Sequence, residues 1–213
     1  RAAPDDLLLI PGYGFKAGAV AVYKQVSDKP VNPQPPANIP VSNTAQEGEL
    51  YVAQITVDAV TVLFPEAIKA QQTYALWIKN KNSGWSETVL INDPRPLWIT
   101  PDIAYATKPF ASLAREIKVV GRNLDSVAAK IRLSSGKINY DLTVIDDGNP
   151  ATAIEQYAAK AALPSNLNPG IYSIQFTRDG TNWIDLPKTA TLTVLADPPP
   201  QKKFDISKNG CSP

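Results

Sequence analysis

Short apolar runs that alternate with polar residues recur along most of the chain. A period of two puts successive side chains on opposite faces of an extended strand, so the pattern predicts β-strands. In the first half we expect strands over 7–10, 19–23, 51–57, 59–64, 73–79 and 88–92. Segment 28–40 has five prolines and no apolar run, which predicts an extended loop. Segment 151–162 fits a helix or a strand, and we interpret it as a strand.

The chain also repeats itself, in two copies of about 95 residues. The first copy carries Phe64-Pro65, Tyr74 and Trp85, and the second carries Leu163-Pro164, Tyr172 and Trp183. The step from Tyr to Trp is eleven residues in both copies. Upstream, 8–15 parallels 117–124, and the proline-rich segment accounts for the extra length of the first copy. Two related β units are the simplest interpretation.

Alternation assigns the large side chains of the repeat to faces. Tyr74, Leu76 and Ile78 share one face of their strand, which leaves Trp77 on the opposite face. Trp77 is therefore expected to be exposed or at a domain interface. In the second copy, one face of the strand carries Tyr172, Ile174 and Phe176.

The second copy resembles the immunoglobulin-like IPT/TIG β-sandwich family. The resemblance rests on Ile117 to Leu124 after Pro101, and on Leu163-Pro164 followed by Pro169-Gly170-Ile171-Tyr172. It implies an all-β fold of two tandem immunoglobulin-like sandwiches. Their expected ranges are 1–94 and 95–196, followed by a linker segment at 197–213.

The tail carries a second resemblance. A proline-rich spacer at 196–200 precedes Phe204 to Pro213, which is similar to the opening strand of pectate-lyase-like right-handed β-helix enzymes. This implies that 197–213 is a linker and the first strand of a truncated β-helix. The chain would then be the non-catalytic front of a glycoside hydrolase or polysaccharide lyase.

The composition excludes several kinds of chemistry. Histidine is absent and Cys211 is the single cysteine, which excludes His-dependent nucleophile systems, His-bearing or multi-cysteine zinc sites and an internal disulfide. The net charge of +1 argues against nucleic-acid binding, and the apolar runs are far shorter than a membrane span. We expect no cofactor and no metal. The absence of methionine indicates a chain that starts after a cleavage or boundary, with a signal peptide possible upstream.

Paired carboxylates occur at Asp5-Asp6 and at Asp146-Asp147. The first pair is terminal, and the second belongs to the turn-like sequence 146–150, so neither is a good catalytic pair. Asp146, Asp147 and Asn149 offer oxygen ligands for Ca²⁺, but a solvated turn is the better interpretation. Gly12-Tyr13-Gly14-Phe15 has too few glycines for a phosphate loop and predicts a turn.

The aromatic residues are stronger candidates for binding, because sugar rings stack on indole and phenol rings. Trp85 with Asn82, and Trp183 with Asn182, lie at polar hairpins, and Trp77 completes the set of candidate carbohydrate contacts. The competing interpretation is that Trp85 and Trp183 close the ends of their sandwiches. The shared eleven-residue spacing favours packing over ligand binding. Trp98, at the junction of the units, is expected to be an interdomain wedge.

The function expected from the sequence is that of an accessory module. The chain would support, or dock on polysaccharide, a secreted or cell-surface β-helix enzyme, present as a C-terminal domain or partner chain. One alternative is a substrate-contacting chain that supplies loops 28–43 or 79–86 to a split enzyme. Another is a cell-surface adhesion module, since a sandwich fold does not determine function.

Overall fold

The computed structural model describes residues 1–108, 115–145 and 156–199, and its regular secondary structure consists of β-strands. The all-β fold predicted from alternation is confirmed, and the sheets pack in a sandwich-like manner. No helix among the described residues is long and apolar enough to cross a membrane. The turn at 146–150 and the tail at 204–213 lie outside the described residues, as does the start of the strand predicted over 151–162.

The first set of strands forms a single six-stranded sheet in the order β1-β4-β3-β2-β5-β6. Strand β3 pairs with β2 through its first half and with β4 through its second half, so it passes from one layer to the other. The strands predicted here are present with small shifts at their ends, and 28–40 contains no strand, as expected. The bounds are β1 Leu7–Pro11, β2 Val20–Val26, β3 Glu47–Ile55, β4 Ala59–Leu63, β5 Thr73–Lys79 and β6 Val89–Ile91.

The second set forms two sheets. One has the order β11-β10-β13-β15-β8, with β14 paired to β13, and the other has the order β12-β9-β7. Strand β12 confirms the strand interpretation for the described part of 151–162. The bounds are β7 Arg95–Thr100, β8 Ile103–Tyr105, β9 Glu116–Arg122, β10 Lys130–Ser135, β11 Ile138–Thr143, β12 Ala158–Ala162, β13 Gly170–Thr177, β14 Ile184–Asp185 and β15 Thr191–Leu195.

The repeat seen in the sequence reappears in the strand pairing. The pairs β1–β4, β2–β3 and β2–β5 of the first set correspond to β9–β12, β10–β11 and β10–β13 of the second. The register agrees as well: Gly12 N donates to Asp58 O at 2.8 Å, and Gly121 N donates to Tyr157 O at 2.9 Å. Strands β7 and β8 have no counterpart in the first set. For this reason β1 is an edge strand of its sheet, whereas β9, the corresponding strand of the second set, pairs with β7 as well as with β12.

Each set of strands has its own hydrophobic core. Tyr74, Leu76 and Ile78 lie in the core of the first set. Tyr172, Ile174 and Phe176 lie in the core of the second set. The face assignments made from alternation are therefore confirmed.

Trp77 lies on the opposite face from Tyr74, as predicted, but the expectation that it is exposed or at an interface is wrong. Its side chain is only 2% exposed and packs with Val22 and Ala75 in a separate small cluster. Its Nε1 donates to Thr88 Oγ1 at 2.9 Å, and Trp85 is among the residues packed against the cluster. Neighbouring side chains cover this face of the sheet, so both faces of β5 are buried.

A buried ion pair joins the two sets of strands. Arg178, 2% exposed at the end of β13, donates from Nε to Asp28 Oδ2 at 3.0 Å and from Nη2 to Asp28 Oδ1. Its Nη2 also donates to Thr73 Oγ1 at 2.8 Å, and its Nη1 donates to Asn92 O at 2.8 Å. Sequence reasoning missed this contact, because 150 residues separate Asp28 from Arg178.

Gly121 of β9 marks a close approach between two strands. A Cβ atom there would lie 2.1 Å from Arg95 O, which is backbone of β7 and cannot move aside cheaply. Gly121→Ala should therefore lower stability by about 1–3 kcal/mol, the usual cost of overpacking. Gly84→Ala is the control, since nothing lies within 4 Å of its added Cβ. Equal melting temperatures for the two variants would contradict the strand contact.

Candidate functional site

Trp85 and Trp183 are both half-buried, and each ring has a cation over it. Lys79 Nζ lies 5.4 Å from the centroid of Trp85, whose ring also packs against the cluster around Trp77. The guanidinium carbon of Arg132 lies 3.9 Å from the centroid of Trp183. Cations at such distances are attracted to the ring face. A sugar ring could stack on that face of the indole only if it displaced the cation.

Arg132 is held over Trp183 by its neighbours in the sheet. It forms a two-pronged ion pair with Asp141 of β11, at 2.5 and 2.8 Å. The hydrogen bonds from Arg132 hold the pKa of Asp141 below its usual value, although burial opposes this. The guanidinium that covers Trp183 is thus fixed by a charge-assisted pair, which favours the packing interpretation of this tryptophan.

The two asparagines predicted beside these tryptophans belong to turns. Asn182 donates from its backbone N and its Nδ2 to the carboxylate of Asp179, at 2.7 and 2.6 Å. Burial raises the pKa of Asp179, but hydrogen bonds from Asn182, Thr181 and Thr177 outweigh burial and hold it far below its usual range. Asn82 has a φ of 64°, a left-handed conformation that asparagine tolerates in tight turns.

Trp98 is the exposed tryptophan. All four tryptophans lie in the described part of the chain, and Trp98 is 52% exposed, so the prediction of an interdomain wedge is wrong. The physical reason is a β-bulge in β7. The register with β9 shifts between Pro96 and Trp98, which puts Leu97 and Trp98 side by side on the solvent side.

The outer face of the β12–β9–β7 sheet surrounds Trp98 with basic side chains. Residues directly opposite one another in antiparallel strands share a face, and the buried row of Ile99, Val119 and Ala159 identifies the inner face. We call the opposite side the basic–aromatic face. It has four cross-strand rows. They are Glu116 with Ala162, then Thr100, Lys118 and Lys160, then Trp98, Val120 and Ala158, and then Arg95 and Arg122.

Two of the four cations on the basic–aromatic face are paired. Lys160 Nζ lies 3.7 Å from Glu116 Oε2, and Arg95 Nε lies 2.9 Å from Asp93 Oδ2. Lys118 and Arg122 have no ion-pair partner among the described residues, and both are exposed. The face therefore combines an exposed indole with two positive charges that no described carboxylate compensates.

A cleft of about 730 Å³, lined mostly by polar residues, lies between the two sets of strands, above the buried ion pair. Glutamines 25, 46, 71 and 72 line it, together with Lys24, Glu47 and Asp179. Three carboxylates line the cleft. That of Asp28 pairs with Arg178, and that of Asp179 accepts hydrogen bonds within its own turn, so both of these stabilise the fold. No group of three or more metal-ligating side chains occurs within 1–108, 115–145 and 156–199.

No protein-family model matches the chain, and no curated protein matches it. Among solved structures, one that is similar is SGBP-B of the Bacteroides ovatus mixed-linkage glucan utilization locus, in complex with a mixed-linkage heptasaccharide. The likeness has a TM-score of 0.33 at 12% identity and covers 92% of this chain. The chain corresponds to 42% of the length of that structure.

Proposed function

We propose that this chain is a non-catalytic module that docks on polysaccharide. The observation that carries the proposal is the exposed Trp98 on the basic–aromatic face. An indole on an open sheet face offers a platform for the CH-rich face of a sugar ring. Thr100 and the basic side chains beside it supply hydrogen-bond donors for sugar hydroxyls. The bulge adds Leu97 to the platform and widens its apolar surface.

The wider setting is part of the same proposal. The two IPT/TIG-like sandwiches, at 1–94 and 95–196, would lead through the linker at 197–213 to a β-helix enzyme. In that arrangement the module is secreted or lies at the cell surface, and it positions the enzyme on its polysaccharide. This setting is supported by the sequence motifs at 117–124, 163–172 and 204–213. Trp85 and Trp183 would contribute to binding only at their exposed edges.

Trp98→Ala is expected to abolish most polysaccharide binding while leaving the protein stable. The side chain is exposed, so its removal should change the free energy of unfolding by no more than about 0.5 kcal/mol. Binding is measured as retardation in native gels that contain single polysaccharides. Tyr13→Ala is the control, since Tyr13 is an exposed aromatic on the first set of strands. Retardation that survives Trp98→Ala but is lost with Trp85→Ala or Trp183→Ala would move the site to the hairpins.

A further inference from the structure

We infer that the basic–aromatic face selects an anionic polysaccharide, one whose sugar units carry carboxylates. This inference rests on the proposed docking function and adds the class of ligand. The observation that carries it is the placement, on both sides of Trp98, of two cations that have no ion-pair partner within 1–108, 115–145 and 156–199. Arg122 and Lys118 lie on β9 on either side of Val120, the residue opposite Trp98.

The spacing of these cations suits a chain of repeating charge. Lys118 and Arg122 are four residues apart on one strand, which corresponds to about 13 Å. A polysaccharide that runs along β9 with one ring on Trp98 brings the substituents of flanking units to both side chains. Each carboxylate then meets a cation that has no other partner among the described residues. The stacking on Trp98 and the two ion pairs would therefore hold one and the same polysaccharide.

A small cavity beside the Arg95–Arg122 row strengthens the argument. It has a volume of about 200 Å³, and its lining includes Arg1, Arg95 and Arg122. Arg1 is paired with Asp125 at 2.9 Å and Arg95 with Asp93 at 2.9 Å, whereas Arg122 has no ion-pair partner in the part of the chain that the structure describes. A guanidinium matches a carboxylate in a planar, two-pronged geometry. The cavity can therefore accept the carboxylate of a sugar unit next to the one on Trp98.

The corresponding face of the first set of strands shows that the fold does not require these charges. The shared register places Leu7 and Leu9 of β1 where β9 has Glu116 and Lys118. Pro11 of β1 corresponds to Val120, so β1 carries no charge along this face. The same sheet geometry is built with apolar side chains in one copy and with charged ones in the other. The cations of β9 are thus available for a ligand.

Charge and aromatic content favour a polysaccharide over a nucleic acid. The whole chain has a net charge of +1, whereas nucleic-acid domains usually carry an extended basic surface. Single-stranded nucleic acids are also bound by several stacking aromatics, and this face has one tryptophan. Two cations around one indole, both without an ion-pair partner among the residues that the structure describes, suit the sparser charge of a uronate chain.

The test compares polygalacturonate and alginate with a neutral β-glucan, using native-gel retardation of the 213-residue chain. The inference predicts that the acidic chains bind more tightly, and that added salt weakens this binding. Lys118→Gln combined with Arg122→Gln should weaken binding to the acidic chains about tenfold, because two ion pairs are lost. Lys137→Gln, an exposed lysine at the β10–β11 turn, should leave binding unchanged. Equal melting temperatures for all variants exclude an effect through folding.

The alternative outcomes separate the two proposals. Binding to the β-glucan alone, without a salt effect, would overturn the anionic class and leave the docking function standing. Retention of single-stranded DNA without retention of polygalacturonate or alginate would identify the face as a nucleic-acid site and overturn the inference. Failure to bind any of the polysaccharides would defeat the docking function and the inference together.

Discussion

Replacing Arg178 with alanine is expected to destabilise the protein by about 3–5 kcal/mol, because the change leaves a buried carboxylate without its partner. From the described residues, the Asp28 carboxylate would retain the hydrogen bond that Thr73 Oγ1 donates at 2.7 Å. The carbonyl group of Asn92 would also lose the donor that joins it to the second set of strands, and that of Asn123 would lose a longer contact within the second set. Urea unfolding, followed by tryptophan fluorescence, measures the loss.

Arg95→Ala is the matched control for Arg178→Ala. It removes an ion pair of similar length, but the Arg95 side chain is largely exposed, and such pairs contribute at most about 1 kcal/mol. A second variant tests whether the loss of stability in Arg178→Ala comes from the Asp28 carboxylate that is left without a counter-ion. Arg178→Met combined with Asp28→Leu removes both charges and should be less destabilising than Arg178→Ala. If Arg178→Ala and Arg95→Ala unfold at the same urea concentration, the buried pair does not hold the two sets together.

Trp77→Ala is expected to cost about 3–5 kcal/mol, the usual range for removing a buried tryptophan. The ring fills the small cluster with Val22 and Ala75, and its Nε1–H bond to Thr88 would also be lost. Thermal unfolding followed by circular dichroism measures the effect. Trp98→Ala is the control of the same residue type and should shift the melting temperature little, because Trp98 is exposed.

Replacing either hairpin tryptophan, Trp85 or Trp183, with alanine should lower the melting temperature by an amount between the shifts expected for Trp77→Ala and Trp98→Ala. The sequence favours Trp85 and Trp183 as residues that close the ends of their sandwiches, and in the structure both are half-buried with a cation over the ring. Each variant to alanine should therefore lower the melting temperature less than Trp77→Ala does. A larger shift for Trp183→Ala than for Trp77→Ala would contradict the burial described here.

The strands could be predicted because alternation is a local property of the sequence. The strand predicted over 73–79 is β5, and its inner face carries Tyr74, Leu76 and Ile78 as the period of two requires. The repeat could also be predicted from the sequence. The structure agrees with it, because Gly12 and Gly121 donate equivalent hydrogen bonds to the neighbouring strand. Units that share a sequence pattern also share their strand pairing.

The candidate site was less predictable, because alternation states which face a side chain is on but not what covers that face. Trp77 was assigned to the correct face, yet packed side chains bury it there. The sequence predicts that Trp98 is an interdomain wedge, whereas the bulge at Leu97 turns this side chain to solvent. A bulge adds one residue to a strand, and the apolar run Leu97-Trp98-Ile99 gives no local sign of its position.

The sequence by itself determined the fold class, the strands and the repeat, because each of these depends on neighbours within a few residues or on comparison of one segment with another. Tertiary structure alone decided which tryptophan is exposed, which cations surround it and how the two sets of strands are joined. The basic–aromatic face brings together Trp98, Lys118 and Lys160 from three strands, and the ion pair joins Asp28 to Arg178. Such contacts depend on the pairing of distant segments, and no local pattern records that pairing.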